Sequence, residues 1–193
     1  MRITAMPTPA VSFEVFPPRN VDAAFKLWDT AQALAPLAPR FFSVTYGAGG
    51  TTRDLTHDAA HVLARTSGLP VAGHLTCVGA TKDEVDEVAR AYWDAGVRHI
   101  VALRGDMPKI GQAYRAHNQG YRNAAELVEG LKKIGDFDIS VAAYPETHPD
   151  SIDVKSDIDN LKRKIDAGAN RAITQYFFDV DTYFRFMDKV LAA

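Results

Sequence analysis

Ile100-Val101-Ala102-Leu103-Arg104-Gly105-Asp106 is an apolar run that stops on a cation, a glycine and an anion, with Met107-Pro108 behind it. The run is far too short to cross a membrane and has the length of a strand buried on both faces. A buried strand that ends in charge is where parallel α/β proteins place their sites. The expectation is that Asp106 stands at the mouth of a parallel β/α sheet, against a bound cofactor. Two plainer readings compete. Arg-Gly-Asp is also an adhesion tripeptide, but here a buried strand precedes it in a chain without secretory features. It is also a possible ordinary polar strand end.

Outward from this stretch, strand-like and helix-like segments alternate. Strands are expected at Val11–Phe16, Phe41–Tyr46, Val71–Thr76, Ile139–Tyr144 and Arg171–Phe177, besides the opening one. Helices are expected over Val21–Ala35 with Asn20 as cap, Arg53–Arg65, a third opening on the capping box Thr81/Glu84, and Tyr121–Ile134. A fifth starts near Ser156 and buries Ile158, Leu161 and Ile165. The sixth runs from Val180 with Tyr183, Phe184, Met187, Val190 and Leu191 as its apolar stripe. Asp94-Ala95-Gly96-Val97-Arg98-His99-Ile100 is echoed by Asp166-Ala167-Gly168-Ala169-Asn170-Arg171-Ala172-Ile173: a helix ends, glycine turns the chain, a buried strand starts. The polar stretch Met107–Gly120 is too long for an ordinary βα turn, and such loops are usually functional.

Six βα units imply parallel strands with helices outside. The choice is an open doubly wound sheet or a (β/α)8 barrel. No Gly-x-Gly-x-x-Gly follows the first strand, and polar residues end every strand: Glu14, Thr45, His74, Asp106, Tyr144, Gln175. A barrel draws its site from many strand ends, so an incomplete barrel fits better; a full one has eight units in about 250 residues. The 193 residues suffice for one domain, and 47% hydrophobic and 24% charged residues describe an ordinary globular chain. A net charge of -2 leaves no footprint for nucleic acid or an anionic membrane. Cys77 is the sole cysteine, so no intrachain disulfide forms and a reducing, cytoplasmic setting is expected. It reads as a plain buried thiol rather than a nucleophile.

Glu14 is the sharpest chemical candidate, an acid inside an apolar strand. Burial in a barrel interior raises a carboxyl's pKa and suits a general acid; the alternative is a strand-end carboxylate paired with Arg19 or Arg53. Glu14 with Asp106 also allows a glycosidase-like acid pair, without clear sugar-stacking aromatics. Gly47-Ala48-Gly49-Gly50-Thr51-Thr52 leads into a helix and either cradles an anion or is a simple turn. His57 and His61 share a helix face, yet no third ligand is apparent, so a solvated face is preferred to a metal site. His74 either donates to a ligand oxygen or is a satisfied core histidine. Asp157, Asn160 and Lys164 share a face of the fifth helix; with Tyr144 and His148 they could grip a nucleotide-like tail, but spacing alone favours a solvated charge run.

Six motifs in order resemble bacterial methylenetetrahydrofolate reductases. They are Ser12-Phe13-Glu14-Val15-Phe16-Pro17-Pro18, Ser43-Val44-Thr45-Tyr46-Gly47-Ala48-Gly49-Gly50, His74-Leu75-Thr76-Cys77, Leu103-Arg104-Gly105-Asp106, Ala143-Tyr144-Pro145-Glu146 and Thr174-Gln175-Tyr176-Phe177-Phe178-Asp179. The resemblance implies a flavin enzyme on a (β/α)8 barrel. Such an enzyme binds FAD and reduces 5,10-methylenetetrahydrofolate to 5-methyltetrahydrofolate with NADH or NADPH in a ping-pong cycle. It implies Glu14 as general acid, Asp106 beside flavin and folate, and Thr45 and Gln175 on the substrate. It further implies FAD contacts from Thr45, Tyr46, Ala48, His74, Arg104, Gly105, Asp106, Tyr121, Tyr144, His148, Asp157, Asn160, Arg163 and Lys164, which reverses the solvated-face reading of the fifth helix. No metal is implied, and a homo-oligomer is expected. Residues 1–193 then form one flavin-binding domain without the last two βα units, or a non-redox folate-binding fragment of one.

Overall fold

The computed structural model describes residues 9–47, 53–107 and 112–193. Six strands, β1 (Phe13–Val15), β2 (Phe42–Val44), β3 (Val71–Thr76), β4 (His99–Leu103), β5 (Asp138–Ala143) and β6 (Arg171–Thr174), alternate with six helices. The helices are α1 (Val21–Leu34), α2 (Arg53–Thr66), α3 (Lys82–Asp94), α4 (Ala124–Ile134), α5 (Val154–Asp166) and α6 (Val180–Ala192). All strand pairs are parallel and the sheet order is β1-β2-β3-β4-β5-β6. An order without reversal has no topological switch point, which excludes the doubly wound sheet and leaves an incomplete barrel.

Local chemistry sets the helix starts. Asn20 Oδ1 accepts from Ala23 N at 2.8 Å, and Thr81 and Glu84 close the expected capping box. Asp153 caps α5 by the same reciprocal arrangement with Ser156, so α5 begins at Val154. Asn123 accepts from the amides of Ala125 and Glu126, which starts α4 three residues later than the apolar pattern suggests. Gly96 and Gly168 both take positive φ, as their shared turn pattern implies. The strands are mostly shorter than expected. Backbone bonds from Arg40 N to Val11 O and from Thr45 N to Val15 O nevertheless extend the β1–β2 contact beyond the three-residue ladder.

The core lies between the outer sheet face and the helices. Phe42, Val44, Leu75, Ile100, Ile139 and Val141 from the strands meet Leu63, Val85, Tyr92, Leu127, Val128 and Leu131. At Gly73 the sheet and α3 nearly touch: an added Cβ would lie 2.5 Å from the Tyr92 ring, whose hydroxyl donates to His74 O. Three expected core residues are corrected. Ile165, Phe184 and Leu191 are exposed, and Phe186, outside the expected stripe, is the buried residue of α6. A helical period marks a broad apolar stripe; the neighbour decides which part is covered, and β1 and β6 each have only one strand neighbour.

Candidate functional site

Two cavities lie at opposite ends of the strands. The larger, about 790 Å3, opens at the strand N-termini, beside His99, Asp138 and Arg171. Arg171 Nη1 donates to Ser140 Oγ and His99 Nε2, each at 3.1 Å, and Nη2 pairs with Asp138. A guanidinium only donates, so His99 Nε2 is an acceptor and the ring carries its proton on Nδ1. Burial, helped by Arg171 and opposed by Asp138, brings the His99 pKa down to about 4. Polar clusters at this end of a barrel serve stability rather than chemistry.

The smaller cavity, about 460 Å3, lies at the C-terminal ends of β4 and β5. It brings together Arg104, Gly105, Asp106, Tyr144, His148, Asp157, Asn160, Lys164 and Gln175. Gly105 makes the turn off β4: its φ is +80°, and a Cβ there would meet Val78 Cγ1 at 2.6 Å and Thr76 Cβ at 2.9 Å. Arg104 pairs with Asp150 at 2.8 Å, approaches Asp106 at 3.9 Å and lies over the Tyr114 ring at 4.4 Å. Its hydrogen bond holds the Asp150 carboxyl below the usual range. Asp106 itself points outward, with 86% of its side chain exposed. Tyr144 stacks edge-on against His148 at 4.6 Å; burial and then the Asp106 charge push its phenol up.

The α5 face is part of this wall. Buried Asp157 accepts from His148 N at 2.7 Å and from Ser151 Oγ. Lys164 is only 4% exposed and donates Nζ to Ala142 O. Burial brings its pKa down to about 8, with Asp157 opposing and Arg163 adding to the shift. The donors of this wall toward a bound anion are buried Lys164 and half-buried Arg104, while the Asp157 carboxylate and the strand-end carbonyl of Ala142 accept. The spacing argument therefore fails here: this face is a buried wall, not a solvated charge run.

A second group gathers at the ends of β1 to β3. Glu14 Oε2 lies 3.4 Å from His74 Nε2. The expectation that Glu14 is buried is corrected: its side chain is 59% exposed, because β1 is an edge strand. The alternative pairing with Arg53 is not seen either, since Arg53 Nε donates to Tyr46 OH at 3.2 Å. Burial pushes the Tyr46 phenol up, with Arg53 opposing. Thr45 offers its carbonyl to Thr56 Oγ1 at 2.9 Å. His74 is 8% exposed, and burial, with a smaller push from His99, brings its pKa down to about 4. The buried His74 Nε2 lacks a properly aligned hydrogen bond even to Glu14, and Thr76 Oγ1 on the same strand lacks a partner. Buried unpaired polar atoms at a strand end call for a polar ligand atom or water.

Some expected contacts fall elsewhere. The Tyr121 side chain is not in the cavity: its hydroxyl donates to Asp86 at 2.7 Å and Lys82 lies over its ring, behind the sheet. Asn123 and Ala124 line the cavity instead, a consequence of the later start of α4. Arg163 is exposed, donates to Asn160 Oδ1 at 3.4 Å and does not line the cavity. Ala48 and most of the glycine-rich turn lie outside the described residues. His57 and His61 stack at 6.3 Å, with His57 5.5 Å from Tyr92 and one buried unpaired nitrogen on each. Their helix face is thus packed rather than solvated. No group of three or more His, Cys, Asp or Glu able to hold a metal occurs among the described residues. Burial pushes the Cys77 thiol up to about 11, as befits an inert core thiol. Tyr114, Asp150 and Ser151 were not anticipated; their signal was position, in the two loops that leave β4 and β5.

A family model described as methylenetetrahydrofolate reductase matches residues 2–193. The chain is 52% identical over 182 residues to the 5,10-methylenetetrahydrofolate reductase of Pectobacterium carotovorum subsp. carotovorum, covering 94% of this chain and 59% of that protein. The Escherichia coli K12 enzyme of the same name is 51% identical over 183 residues, covering 95% and 60%. Methylenetetrahydrofolate reductase (NADH) 1 of Arabidopsis thaliana is 34% identical, covering 96% and 33%. The chain thus spans about three-fifths of the length of its bacterial relatives. Among solved structures, a 2,3-dimethylmalate lyase of the PEP mutase/isocitrate lyase superfamily superposes with a TM-score of 0.65 at 11% identity, covering 94% of this chain and 62% of that one. The phosphoenolpyruvate phosphomutase of Streptomyces platensis subsp. rosaceus gives 0.66 at 14%, covering 93% and 64%. At such identities the likeness concerns the fold alone.

Proposed function

The chain belongs to the methylenetetrahydrofolate reductase family, and from that premise we propose that it carries the FAD- and folate-binding face of an enzyme reducing 5,10-methylenetetrahydrofolate to 5-methyltetrahydrofolate. The observation that carries this reading is the cavity at the ends of β4 and β5. Nine residues that the resemblance assigns to flavin or folate line that one space. The donor set fits a flavin dinucleotide: Arg104, His148, Asn160 and Lys164 suit a diphosphate and sugar, His74 stands at the neighbouring strand end, and Thr76 Oγ1 is a buried polar atom in need of a partner. Tyr46, Gly105, Asp106, Tyr144 and Asp157 complete the set. When bound, the flavin supplies two-electron chemistry, with hydride arriving from NADH or NADPH and leaving to folate in alternate half-reactions.

The protein's own groups handle charge and protons. The folate methylene bridge accepts hydride only as an iminium cation, so a ring nitrogen must be protonated as the bridge opens. Glu14 gives that proton, and its exposure lets solvent reload it. Asp106 places a negative charge where the cation develops. Thr45 and Gln175 orient the substrate from β2 and β6. A cytoplasmic setting, and assembly of several copies, belong to the same proposal.

The purified chain should be yellow and should oxidise NADH with menadione as acceptor; a colourless chain that takes up no FAD overturns the reading. The coverage of three-fifths of the bacterial relatives favours a second reading, a folate-binding portion of the barrel without turnover. It predicts folate binding with no NADH oxidation.

A further inference from the structure

We propose that His74 is a positioning residue for Glu14, whose carboxyl proton is held by the buried and otherwise unbonded Nε2 of the imidazole. The inference rests on the reading of Glu14 as an acid. Its geometry is independent of that reading: Glu14 Oε2 and His74 Nε2 are 3.4 Å apart, and Nε2 is shut off from solvent without an aligned hydrogen bond. A small rotation of the exposed glutamate side chain closes the gap.

The charge state of the ring decides what this contact does. An imidazolium beside Glu14 would hold its carboxylate ionised and disarm the acid. Burial keeps His74 neutral near pH 7, with His99 adding to that effect. Two titratable groups among the described residues stand against the His74 ring. Glu14 comes from β1 and His99 from β4, the latter engaged with Ser140 and Arg171; from α3 the Tyr92 hydroxyl binds only the His74 carbonyl. A neutral imidazole has one N–H. With that proton on Nδ1, the Nε2 lone pair accepts from the Glu14 O–H, and the pair favours the loaded acid. With the proton on Nε2, the ring would favour the carboxylate instead. After Glu14 transfers its proton to the folate nitrogen, the carboxylate faces a lone pair, and that repulsion favours uptake of a new proton from solvent. No net charge is stored between cycles, and His74 itself never gains or loses a proton.

Long-range 1H–15N correlation spectra of the flavin-free 193-residue chain report the tautomer directly, with His74 assigned from His74→Phe. The expected result is the Nδ1–H tautomer, with an Nε2 resonance that follows a titration step missing in Glu14→Gln. A predominant Nε2–H tautomer, or an Nε2 signal indifferent to Glu14→Gln, overturns the proposal. In the FAD-loaded enzyme, the alkaline limb of folate reduction should move down by about one pH unit in His74→Phe, the worth of one hydrogen bond. It should stay in place in His74→Gln, whose amide oxygen still accepts. Equal movement in both variants also overturns it. A chain without FAD counts against the flavin reading alone, since the spectra need no cofactor.

Discussion

Lowering the pH should loosen this fold through two histidines that stay neutral inside it. An unfolded histidine titrates near 6.5, whereas burial brings His74 and His99 each down to about 4. Between those values the unfolded chain binds protons that the folded chain refuses. Stability is therefore intact above about pH 6.5, falls as pH drops through that value, and stops falling from this cause below about 4. Near pH 5.5 the unfolded side chain is about nine-tenths protonated and the folded one hardly at all, which gives a slope of roughly 1.2 kcal/mol per pH unit for each histidine. His99→Asn isolates one of them. The variant loses the contacts with Ser140 and Arg171 and should be less stable at pH 7. Its stability should nevertheless decline less steeply, by about 1.2 kcal/mol per pH unit near pH 5.5. Urea unfolding at intervals between pH 5 and 7 measures both slopes. Parallel slopes for wild type and variant would refute the claim that His99 is held neutral by burial.

Three further substitutions test other parts of the site. Gly105→Ala forces a side chain into a left-handed turn and against Val78 and Thr76; a loss of about 2–4 kcal/mol in urea unfolding is expected, and a change within error would show that the turn relaxes freely. Lys164→Met fills the same space but leaves Ala142 O and the neighbouring Asp157 without their cation, so FAD affinity by flavin fluorescence should fall about tenfold or more and stability in urea by about 1–3 kcal/mol. Unchanged affinity would remove Lys164 from the cofactor wall. Glu14→Gln should keep FAD and NADH–menadione turnover yet lose folate reduction by a factor of about 100 or more; normal folate turnover in rapid-reaction assays would end its role as acid.

The strand order and the strand-end residues could be read from the chain because both are local. Ile100 to Leu103 is apolar on both faces, and only a parallel sheet covered by helices buries such a run. The capping groups Asn20, Thr81 and Glu84 sit within three residues of what they cap. What escaped depends on neighbours distant in sequence. Glu14 looked buried because its strand is apolar, but β1 lies at an edge. Tyr121 is a cofactor contact by resemblance alone, yet Asp86 on α3 draws its hydroxyl behind the sheet. Asp150 carries no motif; its role depends on Arg104, 46 residues earlier, reaching across the cavity. The packing of the His57/His61 pair is hidden from the sequence for the same reason, since it is Tyr92 on α3 that meets the His57 ring.

The unbroken order of the strands has a consequence for how the molecule is made. Each strand pairs with the one synthesised just before it. No strand has to wait for a partner still to be translated, and every closure spans a single βα unit. Loop-closure costs stay small and uniform, so the sheet can grow by accretion as the chain leaves the ribosome. At each stage the newest strand is the reactive margin, with its outward N–H and C=O groups ready to template the next addition. Among the described strands that margin is β6, and its counterpart at the origin of growth is β1.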